Sequence, residues 1–151
     1  MDDIQLETPG SEITHCQRDP TNLRRAAPAI AMAWFAVQGM NCSLPLEPEP
    51  FDLLVKTATG IDRVQVKSTT YRDPRGKYMA AIGKRRAHGP NKNRLLPYRT
   101  DEVDHFFIID GDFNIYYIPV GDIGGKVYIS LPAWNRFLRG SLRMVRATGV
   151  D

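Results

Sequence analysis

The sequence has few of the residues that disulfide frameworks and zinc centres require. Its two cysteines are Cys16 and Cys42, too few for a framework of disulfides, and no CxxC pair is present for zinc. His15, His88 and His105 show no metal-ligand spacing. We therefore expect a reducing, cytoplasmic setting of the prokaryotic, phage or organellar type.

Long apolar runs are also lacking. The longest, around Ala26 to Val37, is rich in alanine and is interrupted by Pro28, so no membrane-spanning segment is expected. The acidic, polar start of the chain does not fit a secretory signal peptide. The length of 151 residues with 42% hydrophobic residues is typical of one domain with a buried core. We assign residues 1–20 to a flexible arm and 21–151 to a single domain.

Acidic residues are nearly missing from the middle of the chain. Between Lys67 and Arg99 only Asp73 opposes ten basic residues, so this segment carries +9 and the remainder carries −6. Such a segment indicates a polyanion-binding surface, although a solvated loop with no partner gives the same pattern. The residues predicted to contact nucleic-acid phosphates are Lys84, Arg85, Arg86, Lys92, Arg94 and Ser68.

The order of hydrophobic patterns predicts an α/β fold with a central mixed β-sheet flanked by helices. A helix is expected over residues 22–38, started by Asp19 or Thr21, with Pro28 either kinking it or marking its first turn. A second helix is expected over Ala133 to Leu142. Strands are predicted at 40–46, 51–57, 63–70, 77–82, 104–109, 115–120 and 126–131, and a basic loop at 83–100.

The hairpin of strands 51–57 and 63–70 carries the chemistry. Strand alternation places Arg63, Gln65 and Lys67 on one face, where Asp52 from the neighbouring strand can meet Gln65 and Lys67. Mg²⁺ or Mn²⁺ is usually held by one or two carboxylates with waters and phosphate oxygens. Asp52, the Val66 main-chain carbonyl and the Gln65 amide oxygen are the candidate ligands. Lys67 can orient or deprotonate water or neutralise developing charge; alternatively it only pairs with Asp52.

The residues Pro50-Phe51-Asp52-Leu53 and Val64-Gln65-Val66-Lys67-Ser68 on adjacent strands resemble the PD-(D/E)XK nuclease superfamily. They are most similar to its Gln-x-Lys branch, which includes a group I intron homing endonuclease, and more loosely to archaeal Holliday-junction resolvases. The resemblance extends from about residue 22 to residue 131. It implies a restriction-endonuclease-like core, with Asp52 binding metal, Gln65 at a position usually Glu or Asp, and Lys67 catalytic.

The first helix departs from this pattern, because many members carry a Glu there. The stretch from Arg24 to Ile30 contains no acid, so Asp52 is the one firm charged ligand. Glu12, Glu47 and Glu49 are the candidates to replace the glutamate that the first helix lacks. Asp104 is interpreted either as a simple strand-start acid or as a further metal or catalytic residue.

These features predict a Mg²⁺-dependent DNA endonuclease that prefers branched DNA, as a Holliday-junction resolvase does. Because cutting two strands needs two active sites, a homodimer or homotetramer is expected. A site-specific homing or restriction-type endonuclease is the close alternative. Two further alternatives are not nucleases: a DNA-binding protein with a degenerate nuclease site, and a basic domain that binds a protein partner.

Overall fold

The computed structural model describes residues 19–85, 88–90 and 92–142. Most of the predicted N-terminal arm, residues 1–18, lies outside them. The helices are α1 (Pro20–Val37), α2 (Val120–Ile123) and a 3₁₀ helix (Leu131–Phe137). The strands are β1 (Cys42–Ser43), β2 (Leu53–Thr57), β3 (Gly60–Thr69), β4 (Met79–Ala81), β5 (Lys84–Arg85), β6 (Leu95–Leu96), β7 (His105–Asp110), β8 (Asn114–Pro119), β9 (Tyr128–Ser130) and β10 (Leu138–Ser141).

Six of these strands form one mixed sheet in the order β1-β2-β3-β7-β8-β10. Strands β3 and β7 pair in parallel, with Gln65 opposite Phe106, and the other neighbours pair antiparallel. The predicted α/β class with a central mixed sheet is confirmed. Strand β3 lies inside the sheet, so the side chains that alternate along it are fixed in direction by both neighbours.

Helix α1 covers one face of the sheet. Leu23, Ala27, Ala31 and Phe35 recur every four residues and are buried, which is the stripe that a helix presents to a core. They pack on β-strand residues such as Phe107. Asp19 caps the helix by accepting a hydrogen bond from the Thr21 backbone N–H at 2.7 Å, as predicted.

The opposite face is covered by shorter elements. The core there joins Phe106 and Ile108 of β7 to Ala80 of β4, Ile129 of β9 and Leu131 of the 3₁₀ helix. Strands β4 and β9 form a separate antiparallel pair. This layer leaves a cavity beside β3.

The structure corrects three predictions. Residues 133–142 do not form an α-helix: they contain the end of the 3₁₀ helix and then β10, which pairs with the free edge of β8. The basic loop at 83–100 contains the paired strands β5 and β6. The alternative in which Pro28 marks the first turn of the helix is wrong, because α1 runs from Pro20 through it. No described helix has the length and apolar character needed to cross a membrane.

Candidate active site

Strand β2 stops pairing with β3 at the point where Asp52 lies. The Asp52 backbone N–H donates to the Val64 carbonyl at 2.9 Å, and β2 itself begins at Leu53. The backbone N–H and C=O of Val66 point toward the β2 side of β3, as those of Val64 do, but no β2 residue pairs with Val66. The Asp52 carboxylate accepts the Val66 N–H at 2.8 Å instead. A side chain thus replaces the missing strand partner.

The Val66 carbonyl is thereby left facing the same spot as the Asp52 carboxylate. The Gln65 Nε2 donates to Asp52 Oδ2 at 2.6 Å and to the Val66 oxygen at 3.4 Å. The amide therefore bridges two electron-rich oxygens, the position that a divalent cation takes in an all-oxygen site. Turning the amide by half a rotation presents its oxygen to the same spot. The donor set fits Mg²⁺ or Mn²⁺, with Asp52 as its charged member.

Lys67 points from β3 into the same cavity but is held away from Asp52. Its ammonium lies 3.5 Å from both the Gly83 carbonyl and the Tyr98 hydroxyl. It also lies 5.2 Å from the centre of the Tyr98 ring. Among the ion pairs of the described residues, none joins Lys67 to Asp52. The interpretation of Lys67 as a simple partner of Asp52 is therefore not supported.

Burial shifts the protonation of these side chains toward their neutral forms. It raises the pKa of the Asp52 carboxyl, and the Val66 hydrogen bond and the Lys67 charge oppose that rise. It lowers the pKa of the Lys67 ammonium against the attraction of Asp52. Burial, reinforced by Asp52 and Glu102, raises the pKa of Tyr98 to about 12. A lysine whose pKa is lowered next to a carboxylate suits general base chemistry.

These groups line a cavity of about 650 Å³ between α1, β3 and the β4–β5 segment. Helix α1 contributes Arg24, Ala27 and Pro28 to its lining. The helix thus supplies a cation in place of the glutamate that many family members carry there. Ser68 and Arg85 also line it. The cavity therefore combines one carboxylate with several cations, a combination that suits a polyanionic substrate.

Among the described residues that line the cavity, Asp52 is the one carboxylate. Within residues 19–85, 88–90 and 92–142, no three His, Cys, Asp or Glu side chains lie close enough to share a metal ion. Glu47 lies near enough for its charge to raise the pKa of Asp52, but it is exposed, as is Glu49. Glu12 lies outside the described residues. Of the candidates to replace the acid missing from the first helix, Glu47 and Glu49 lie in the described residues, and neither lines the cavity.

The predicted phosphate-contacting residues are not all placed alike. Ser68, Lys84 and Arg85 line the cavity, but Lys84 forms a short ion pair with Glu102. Lys92 and Arg94 are exposed and do not line the cavity, although Asn93 between them does. Arg86 lies outside the described residues.

Asp104 has a structural partner rather than a place in the cavity. Its two oxygens accept hydrogen bonds from the Arg63 guanidinium at 2.8 and 2.9 Å, and one also accepts the Arg63 backbone N–H at 2.8 Å. These bonds lower the pKa of Asp104. Arg63, although on the same face of β3 as Gln65 and Lys67, is thus committed to this pair.

Sequence reasoning missed Tyr98, Gly83 and Glu102 as neighbours of the site. Tyr98 lies 31 residues beyond Lys67 in a segment without strong periodicity, so only the fold brings the two together. The close approach at Gly83 requires a glycine, because a Cβ there would lie 2.8 Å from the Leu95 Cβ. The glycine at position 83 was the available sequence signal for this contact.

Comparison with known proteins agrees with this architecture. The family model described as PD-(D/E)XK endonuclease matches residues 22–133. The solved structure of a bacterial homing endonuclease, I-Ssp6803I, is similar with a TM-score of 0.64 and 20% sequence identity, covering 88% of this chain and 85% of that one. At that identity the likeness concerns the fold. No curated protein matches the sequence.

Proposed function

Because the chain belongs to the PD-(D/E)XK endonuclease family, we propose that it is a metal-dependent endonuclease that hydrolyses phosphodiester bonds of DNA. The observation that carries this proposal is the convergence of the Asp52 carboxylate, the Val66 carbonyl and the Gln65 amide beside Lys67 in one basic cavity. An all-oxygen donor set next to a half-buried ammonium is suited to phosphoryl chemistry.

Asp52, Val66 and Gln65 are the residues that would hold Mg²⁺ or Mn²⁺. When bound, the ion polarises the phosphate and lowers the pKa of a coordinated water. Lys67, whose pKa is lowered by burial, accepts the proton of the attacking water or donates a hydrogen bond to a phosphate oxygen. Arg24 and Arg85 on the cavity wall contact the flanking phosphates and fix the register of the backbone.

The described part of the chain offers no separate helix-turn-helix or zinc module for reading bases. That supports selection of branched DNA by shape, with junction resolution as the model. The likeness to a homing endonuclease supports the second candidate, cleavage at a specific duplex sequence. Either activity on two strands needs two active sites, so a homodimer or homotetramer is part of the proposal.

Cleavage of a substrate panel tests the proposal. The wild-type chain, incubated with labelled four-way junctions, flaps and duplexes over a Mg²⁺ and Mn²⁺ titration, is expected to cut at least one of them. Asp52→Asn and Lys67→Ala are each expected to lose about 100-fold or more in rate while still binding DNA. Lys56→Ala removes a cation that is exposed and lies outside the cavity, so it is expected to cut normally.

The same panel separates the alternatives. Tight, salt-dependent binding without cleavage of any substrate indicates a DNA-binding protein whose nuclease site has degenerated. Weak binding with little salt dependence indicates a protein-binding domain instead. Preference for the four-way junction supports the resolvase model, and cleavage confined to one duplex sequence supports the homing or restriction type.

A further inference from the structure

The direct contacts of the Lys67 ammonium are to uncharged groups, although the Lys84 ammonium also approaches the same Tyr98 ring, at 5.6 Å from its centre. The contacts of Lys67 are the Gly83 carbonyl and the Tyr98 hydroxyl, each at 3.5 Å, and the Tyr98 ring. Asp52, the nearby carboxylate whose charge acts on it, is not within ion-pair distance. A long, flexible lysine side chain ordinarily moves to such an anion, because direct contact strengthens the attraction.

Both contacts are fixed by the fold. The Tyr98 ring meets Phe106 of the core edge to face, with 5.5 Å between ring centres. The Gly83 carbonyl is positioned by the backbone N–H groups of Ile82 and Gly83, which donate to Val127 at 2.8 and 3.2 Å. The Lys67 contacts are therefore preformed rather than induced by substrate.

We propose that Tyr98 is a positioning residue that holds the Lys67 ammonium away from Asp52 and so keeps the Asp52 carboxylate free for the metal ion. The inference depends on the proposed function, since it assigns Asp52 to the metal. Without the ring and hydroxyl of Tyr98, Lys67 moves onto Asp52 and competes with the cation. Tyr98 therefore acts through Lys67 and not by touching the reacting atoms.

A double-mutant cycle on Mn²⁺ affinity tests the inference without DNA. Tyr98→Leu is expected to weaken Mn²⁺ binding, measured by electron paramagnetic resonance, by about 10-fold or more. In the Lys67→Met background the same change is expected to have less than about a 2-fold effect, because no ammonium remains to compete. Tyr71→Leu, an exposed tyrosine outside the cavity, is the matched control and is expected to leave Mn²⁺ affinity unchanged.

The position of the lysine gives a second measurement. In the wild-type protein the Tyr98 ring is expected to contribute a ring-current shift to the Lys67 ε-methylene proton resonances. Tyr98→Phe keeps the ring and the shift, and it loses less metal affinity because the ring still attracts the ammonium. Tyr98→Leu abolishes the shift. If Tyr98→Leu does not fold, the cycle is run with Tyr98→Phe, whose smaller loss must likewise vanish in the Lys67→Met background.

Two results overturn the inference: an equal loss of Mn²⁺ affinity with and without Lys67, or no loss in the wild-type background. In the active enzyme, Tyr98→Leu is expected to lower kcat while the KM for DNA stays unchanged. Tyr98→Phe is expected to recover kcat. If the wild-type chain cuts no DNA, the proposed function fails, while the Mn²⁺ cycle and the lysine resonances still decide the role of Tyr98.

Discussion

An uncharged amide occupies position 65, where a second carboxylate would bind a divalent cation more strongly. Gln65 satisfies Asp52 by donating a hydrogen bond at 2.6 Å, so the pair is stable without metal. A glutamate at position 65 would place a second carboxylate beside Asp52. The two carboxylates would repel each other without metal, and both would bind the ion when it is present. The residue thus balances stability of the metal-free protein against metal affinity.

Gln65→Glu is therefore expected to lower the melting temperature of the metal-free protein and to increase the stabilisation given by Mn²⁺. The loss follows from like-charge repulsion, and the gain follows from tighter binding to the folded state. Thermal unfolding with and without Mn²⁺ measures both. Gln65→Leu, which removes the amide without adding charge, is the control. Equal metal stabilisation of wild type and Gln65→Glu would contradict the assignment of Gln65 to the metal site.

Asp104 is a structural acid whose charge stabilises the fold. Asp104→Asn is expected to reduce the free energy of unfolding at pH 7 by about 1–3 kcal/mol, since it weakens charge-assisted hydrogen bonds to Arg63. Because these bonds lower the pKa of Asp104, their stabilisation is present above the unfolded value of about 4 and is lost as pH falls through the folded value.

Urea unfolding at several pH values measures this difference. The gap between wild type and Asp104→Asn is expected to narrow as the pH is lowered below about 4. Mn²⁺ affinity, the control, is expected to be the same in both. A large loss of Mn²⁺ affinity in Asp104→Asn would revive the interpretation of Asp104 as a metal ligand.

At the scale of elements, α1 contains a proline in its interior. Pro28 has no N–H to donate to the carbonyl four residues earlier, and its ring crowds the preceding turn. The helix persists because Leu23, Ala27, Ala31 and Phe35 bury a continuous stripe against the sheet. Tertiary packing here outweighs a local cost of about 3 kcal/mol.

Pro28→Ala is accordingly expected to increase the free energy of unfolding by about 1–3 kcal/mol, as the lost backbone bond is regained. Pro28→Gly also restores the N–H but lowers helix propensity, so its gain is expected to be about 1 kcal/mol smaller. Chemical denaturation of the three proteins measures these differences. Destabilisation by Pro28→Ala would show that α1 needs the shape that the proline imposes.

The elements also show where sequence patterns suffice. The period of two along β3 correctly placed Arg63, Gln65 and Lys67 on one face, because alternation is a local property of a strand. Residues 133–142 were wrongly predicted as a helix from the spacing of Trp134, Phe137 and Leu138. Their conformation depends on pairing between β10 and the free edge of β8, a contact that no local pattern contains.

The cavity shows a similar division. Asp52 and Gln65 meet because one hairpin joins them, and a hairpin is readable from sequence. The positions of Tyr98 and Gly83 around Lys67, and of Glu102 against Lys84, depend on how distant segments pack. The cations of the basic segment therefore could be counted from the sequence, but which of them are already paired could not.

At the scale of the whole molecule, that pairing sets the strength of the basic surface. Lys84 lines the cavity, and its hydrogen bond lowers the pKa of Glu102, which stays ionised and neutralises it. Breaking this pair leaves Lys84 available for a phosphate. A nuclease that must release its products gains from such an internal competitor, because unopposed cations would bind substrate and product alike.

Glu102→Gln is therefore expected to tighten binding to non-cleaved DNA by about 3- to 10-fold at low salt and to steepen the salt dependence by about one counterion. Asp122→Asn makes the same charge change beside Arg136, outside the cavity, and is expected to have a smaller effect. Binding isotherms in Ca²⁺ over a range of salt concentrations measure both. Equal tightening by the two variants would show that net charge, rather than release of Lys84, governs affinity.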